Sequence, residues 1–132
     1  MADELKGRAR ELVKDRNFAH VVTQRPDGTP HTVVVWADAE DGTVTLNSAE
    51  GRVWPDLARQ NREVTITVPN QENPYEYVVI RGRVQEATTE GADEHIDELS
   101  NKYLGKDYPY RRPGEQRIKF TVRPEEVTLR EG

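Results

Sequence analysis

Between Phe18 and Ser48 the sequence holds three strand-like runs and leaves no room for a helix. The runs are "FAHVVTQ", "PHTVVVWAD" and "TVTLNS", all rich in β-branched residues. The turns "RPDG" and "AEDG" separate them, with Pro26, Gly28 and Gly42 as turn residues. Parallel neighbours need a crossover of about a dozen residues or more. These strands therefore pair antiparallel, and all-parallel architectures are disfavoured. In the third run Val44 and Leu46 share one face, and Thr45 and Asn47 share the other.

The remaining elements fit around this core. Leu5, Ala9, Leu12 and Val13 recur at helical spacing in "ELKGRARELVKD" and predict an amphipathic helix over 4–15. "EVTITVP" reads as a fourth strand and "YEYVVIRGRVQEA" as a long fifth, where Gly82 predicts a bulge or bend. "TEGADEHIDELSNKYLG" predicts a helix bearing Ala92, Ile96, Leu99 and Tyr103 and stopped by Gly105. "KDYPYRRPGEQ" is an irregular basic-aromatic loop. "RIKFTV" is the sixth strand, and "EEVTLR" offers a short seventh. The expected fold is mainly β, a six-stranded antiparallel barrel, closed or partly closed, with two or three helices, as one domain over 1–132.

Composition narrows the function classes. The 132 residues carry 19 basic and 24 acidic side chains, a net charge of −5, which disfavours nucleic-acid and anionic-membrane surfaces. The absence of cysteine excludes disulfides, zinc–thiolate sites and a thiol nucleophile. No apolar run is long enough to span a membrane. The start, Met-Ala-Asp-Glu-Leu-Lys, lacks the apolar core of a signal peptide, so a cytoplasmic location is expected.

Familiar catalytic arrangements are missing. The three histidines, at 20, 31 and 95, have no metal-ligand spacing, and no metal site is expected. His95 lies among acids and reads as solvated. His20 and His31 read as structural or surface residues. Neither Ser48 nor Ser100 has a nucleophile-elbow context. No phosphate loop of the GxxxxGK or GxGxxG kind occurs.

One stretch stands apart, "NSAEGRVWPDL" at 47–57. A strand ends at Asn47–Ser48, Gly51 permits a tight turn, Arg52 adds a guanidinium, and Pro55 suits the first position of a helix. Free N–H groups and a positive dipole end would then meet beside an Arg, a setting suited to an anion. From spacing alone, a strand-to-helix connection with a solvated Arg explains the same residues. Trp36, Trp54, Tyr75, Tyr77, Tyr103, Tyr108 and Tyr110 form an aromatic set, which spacing alone assigns to core and dimer packing.

The strings "FAHVVTQRPDGTPHTVVVWAD", "TVTLNSAEGR", "REVTITVPNQENPYEYVVIRGRV" and "KYLGKDYPYRRPGEQRIKF" together resemble the pyridoxamine-phosphate-oxidase-like, split-β-barrel family. The likeness runs from Asn17 to Leu129 and is nearest to the actinobacterial branch that uses the deazaflavin coenzyme F-420. It implies a homodimer with the cofactor in a groove between subunits, and a small-molecule substrate. It implies a ring lying along the second strand, at His31, Val33, Val35 and Trp36. It implies a cofactor phosphate held after the third strand, at Asn47, Ser48, Ala49, Gly51, Arg52, Val53 and Trp54. Tyr77 would come from the other subunit, within 75–81.

Many relatives carry further Lys or Arg close to the position of Arg52, where this chain has Val53, Trp54, Pro55 and Asp56. The resemblance implies no particular catalytic residue, because a flavin or deazaflavin carries the hydride itself. FMN is the alternative cofactor. It shares the ribityl phosphate but lacks the acidic tail of F-420, for which Lys102, Lys106, Arg111, Arg112 and Arg117 are candidates. The implied activity is an oxidoreductase passing hydride from reduced F-420 to a small unsaturated or quinone-like substrate. An FMN-dependent oxidase or reductase, or a non-catalytic binding protein, is the alternative.

Overall fold

The computed structural model describes residues 2–131 and contains three helices and one seven-stranded antiparallel sheet. The elements are α1 (Gly7–Lys14), β1 (Ala19–Gln24), β2 (Pro30–Val35), β3 (Ala37–Glu40), β4 (Thr43–Ala49), α2 (Val53–Asn61), β5 (Glu63–Asn70), β6 (Asn73–Thr88), α3 (Ala92–Leu104) and β7 (Arg117–Glu131). The strand order is β2-β1-β5-β6-β7-β4-β3. Its two edge strands, β2 and β3, are joined by a single residue, Trp36. A flat sheet cannot satisfy that connection. The sheet curls until its edges adjoin, giving a barrel split at Trp36.

Two features differ from the six strands expected. The run "PHTVVVWAD" is two strands: residues 30–35 pair with β1, and residues 37–40 turn away to pair with β4. The last two runs are one continuous strand, β7, with a bulge where Gly82 of β6 faces Pro124. Proline has no N–H for the ladder, and a bulge accommodates it. The irregularity expected at Gly82 is there, because the register shifts between Arg81 and Gly82.

Inward-facing residues fill the barrel, among them Val21, Leu46, Ile66, Val78, Ile80, Phe120 and Val122, all fully buried. Leu12 and Val13 of α1 close one part of it. Trp54 of α2 closes another, its ring 4.9 Å from that of Phe120. α3 lies on the opposite face of β4 and β7, where it covers Asn47. β4 is therefore buried on both faces, which leaves its outward polar residues dependent on α3 for partners.

Candidate functional site

Trp36 marks the split, and an aromatic stack fixes it there. Its ring lies 5.3 Å from that of Tyr103 at 8°, and Tyr103 stacks on Phe18 at 5.7 Å. The Tyr103 hydroxyl donates to Asn17 O at 2.5 Å and accepts from Ala37 N at 3.2 Å. Burial pushes this phenol up to about 12, so it stays protonated. α3 thus clamps the junction between the two edge strands.

Beside this stack opens a cleft of about 350 Å³. Its apolar walls come from Val34 and Val35 of β2, Trp36, and Ile96 and Leu99 of α3. Phe18 and Tyr110 stand at its mouth, 40% and 64% exposed. Arg52 and Arg117 bring positive charge. The loop over 106–116 supplies Tyr108, which meets Trp36 edge-on at 6.2 Å. α3 holds this loop through Asp97, which accepts Tyr108 N at 2.9 Å and Arg111 Nη2 at 3.3 Å.

A buried polar network underlies the cleft. Asn47 Nδ2 donates to Ala92 O and to His95 Nδ1, both at 3.0 Å. Asn47 Oδ1 accepts from Arg117 Nε at 2.9 Å, and Arg117 Nη1 donates to Glu115 at 2.5 Å. Arg117 is 4% exposed and lies 5.1 Å from the Tyr108 ring centre. Burial works against the charge on Glu115, but Arg117 holds its carboxyl below the usual range, aided by the field of Arg52. Burial and the charge of Lys119 push His95 down to about 4. His95 is neutral near pH 7, and its Nε2 is buried without a hydrogen-bond partner.

This corrects the solvated placement expected for His95, which is only 3% exposed. Ala92, His95, Ile96 and Leu99 stand at i, i+3, i+4 and i+7, and that stripe packs on the sheet. The acids at 93, 94, 97 and 98 occupy the rest of the helix.

Of the residues singled out from the sequence, Val35, Trp36, Asn47 and Arg52 line the cleft. The others stand elsewhere. Val33 packs against the core, and His31 shares its face of β2. Ser48 alternates onto the inner face with Val44 and Leu46 and is fully buried. Ala49 is buried, Gly51 sits in the turn with φ 92°, and Val53 is exposed at the start of α2. Trp54 belongs to the core, and Tyr77 pairs with Pro69 and Arg130 within the sheet. Arg111 turns to α3. Val34, Tyr108 and Arg117 are cleft residues that the expected ring and phosphate contacts omitted. Tyr108 and Arg117 were visible only as members of broader aromatic and basic sets.

The turn after β4, expected to hold an anion, also differs in detail. α2 begins at Val53, so Pro55 is its third residue rather than its first, still within the turn whose N–H groups lack helical acceptors. Arg52 is the N-cap, and its side chain makes no capping bond. Asp56 pairs with Arg59, which also reaches Glu50 at 2.8 Å. Of the five basic residues considered for an acidic tail, Lys102 and Arg117 are held by protein partners. Lys102 Nζ is tied to Val13 O and Ala37 O, and burial holds its pKa down to about 8. Arg117 lies inside the cleft, while Lys106 and Arg112 are exposed.

Among the described residues no group of three or more His, Asp or Glu is placed to hold a metal ion. No helix among them is long and apolar enough to cross a membrane.

The fold has known relatives. An F420 reductase superposes with a TM-score of 0.82 at 22% identity, over 93% of this chain and 98% of that one. A conserved hypothetical protein from Mycobacterium tuberculosis gives 0.73 at 16%, over 99% and 88%. A FAD-binding protein from Mesorhizobium loti gives 0.68 at 20%, over 92% and 91%. At these identities the likeness shows a shared fold. No curated protein matches the sequence. The family model described as pyridoxamine 5'-phosphate oxidase matches residues 5–131. The chain belongs to the pyridoxamine 5'-phosphate oxidase family, with its split-barrel fold.

Proposed function

We propose that this chain is an oxidoreductase that binds a flavin-type ring in the Trp36 cleft. The reduced deazaflavin F-420 is its hydride donor, and a small unsaturated or quinone-like molecule is its acceptor. One observation carries this: apolar walls at Val34, Val35, Trp36 and Leu99 stand beside Arg52, which has no ion-pair partner among the described residues. A flat ring suits the walls, and a phosphate suits Arg52 with the uncapped first turn of α2.

Bound there, such a ring supplies the hydride chemistry. The chain's own part is to orient it, exclude water with Tyr108 and Tyr110, and offset phosphate charge with Arg52. Among the described residues no acid–base pair lines the cleft, and His95 is neutral and enclosed. The F420 reductase among the structural neighbours favours the deazaflavin. The FAD-binding neighbour keeps FMN as the second cofactor.

The deciding experiment titrates FMN and F-420 in parallel, then adds candidate acceptors to the protein carrying reduced F-420. Tighter F-420 binding and its oxidation on adding acceptor support the proposal. A yellow protein that binds FMN and ignores F-420 moves it to FMN chemistry. Binding without turnover makes it a carrier or sensor, and binding of neither ends it.

The proposal includes a homodimer in which each subunit completes the other's cleft. Val34 is 57% exposed and, with Phe18 and Tyr110, leaves apolar surface at the cleft. An interface above about 1,200 Å² in total is expected. Sedimentation as a monomer at micromolar concentration would remove the shared site.

A further inference from the structure

Arg52 and Arg117 both reach the cleft, yet they are built differently. Arg52 is exposed and free of carboxylate partners among the described residues, so it offers net charge. Arg117 is 4% exposed, and Glu115 offsets its charge at 2.5 Å. Asn47 fixes its Nε, Glu115 fixes its Nη1, and the Tyr108 ring lies 5.1 Å from its centre. Asn47 is itself held by Ala92 O and His95 Nδ1, which leaves its amide no freedom to turn.

Nη2 is the remaining nitrogen. It has no hydrogen-bond partner among the described residues, and it is absent from the enclosed atoms that lack one. Nη2 therefore keeps some contact with solvent, and it belongs to a residue that lines the cleft. It presents N–H donors from one atom, in a fixed direction, with little net charge. Phosphate recognition by Arg favours a charged, two-pronged fork. A single oriented donor with its charge offset suits one neutral acceptor oxygen instead.

We infer that Arg117 is the cleft's carbonyl-reading residue: its Nη2 donates to a ring carbonyl oxygen of a planar conjugated ligand lying against Val35 and Trp36. This rests on the proposed flavin-type ring site and assigns a different task to each arginine. Arg117 reads the ring, and Arg52 holds the phosphate. The carbonyl belongs either to the cofactor ring or to a quinone-like acceptor, and the binding partners chosen below separate the two. Asn47 is a positioning residue for Arg117.

The test measures dissociation constants for riboflavin and the phosphate-free deazaflavin chromophore, for their phosphate-bearing counterparts FMN and F-420, and for menadione as a quinone. Arg117→Lys keeps the charge and loses the planar donor. It should weaken the phosphate-free and phosphate-bearing forms of a ring by the same factor, about tenfold, and abolish part of the absorbance shift on binding. Arg52→Ala should weaken only the phosphate-bearing forms.

A loss confined to menadione assigns the carbonyl to the acceptor and upholds the role of Arg117. A loss confined to FMN and F-420 makes Arg117 a phosphate ligand and overturns the inference, as does no change for any ligand. If the parent protein binds no ring at all, the proposed function falls too, which marks that failure apart. Should Arg117→Lys not fold, the side-chain ¹⁵N signals of the arginines are followed in the Arg52→Ala protein during titration with riboflavin and then menadione. One strongly displaced arginine signal is expected, and an unmoved spectrum overturns the inference.

Discussion

Asn47 Nδ2 stands 3.0 Å from His95 Nδ1 and so requires that nitrogen to be an unprotonated acceptor. The histidine then carries its one proton on Nε2, where it has no partner. Protonating Nδ1 would set two donors against each other inside the α3–β4 contact. This pairing ties the tautomer of one residue to the orientation of a cleft arginine, because the other end of the same amide holds Arg117.

A pH dependence follows. His95 titrates at about 4 in the folded protein against 6.5 unperturbed. Above 6.5 neither state holds the extra proton, and its contribution to stability is fully present. Between 6.5 and about 4 the unfolded chain takes up a proton that the folded one refuses. Stability therefore falls as pH drops through that window, by about 3 kcal/mol at most. Urea unfolding at steps from pH 7.5 to 4.5 should show the fall. His95→Gln keeps an acceptor for Asn47 and should flatten it. An unchanged pH profile in that variant would assign the fall to other groups.

Tyr103→Phe tests the clamp at the split. Asn17 O and Ala37 N each lose their partner, while the ring stack on Trp36 survives. The expected cost is about 1–3 kcal/mol, with tryptophan emission retained. Tyr103→Ala should also shift that emission, because the stack itself is gone. If Tyr103→Phe unfolds at the parent's denaturant midpoint, the hydroxyl contributes nothing to the junction.

At Gly82 the limit is space. A Cβ built there lies 2.6 Å from Arg123 O and 2.8 Å from Val122 Cγ1. The first is backbone and cannot swing aside, so Gly82→Ala must push the β6–β7 bulge apart. A loss of about 1–3 kcal/mol is expected. Thermal unfolding within a degree of the parent would show that the bulge yields freely.

Gly82 was legible in the sequence because a glycine inside a β-branched run has few other uses. The antiparallel pairing of the first strands was legible too, since their connections are too short for anything else. The break at Trp36 was not. "VVVWAD" keeps a strand-like pattern across it, and only closure of the barrel makes 37–40 change partner. His95 lies on its helix's apolar stripe, whereas the acids beside it in sequence suggest a solvated face. Arg117 and Asn47 lie 70 residues apart, and no local pattern announces a pair made by tertiary contact. The stretch 47–57 was legible as a strand–turn–helix, whereas the inward alternation of Ser48 required the register of β4 with β7.

The opposed signs expected at Arg52 and Asp56 test that turn. Arg52 lines the cleft at the N-cap of α2 without a capping bond of its own. If a cofactor phosphate sits there, Arg52→Ala removes one charge-assisted interaction, about 1.5–3 kcal/mol. FMN and F-420 should then bind about one to two orders of magnitude more weakly. Folding should barely change, because an exposed Arg at a helix start contributes little. Asp56 sits one turn in, where its carboxylate favours the helix dipole and repels a phosphate. Arg59 already offsets much of that charge through its contacts with Asp56 and Glu50. Asp56→Asn should therefore tighten phosphate-bearing ligands only a few-fold and leave riboflavin unchanged. A turn that serves only to connect β4 with α2 predicts no change in affinity for either variant. Parent-like binding of FMN and F-420 by Arg52→Ala would remove the phosphate from this turn.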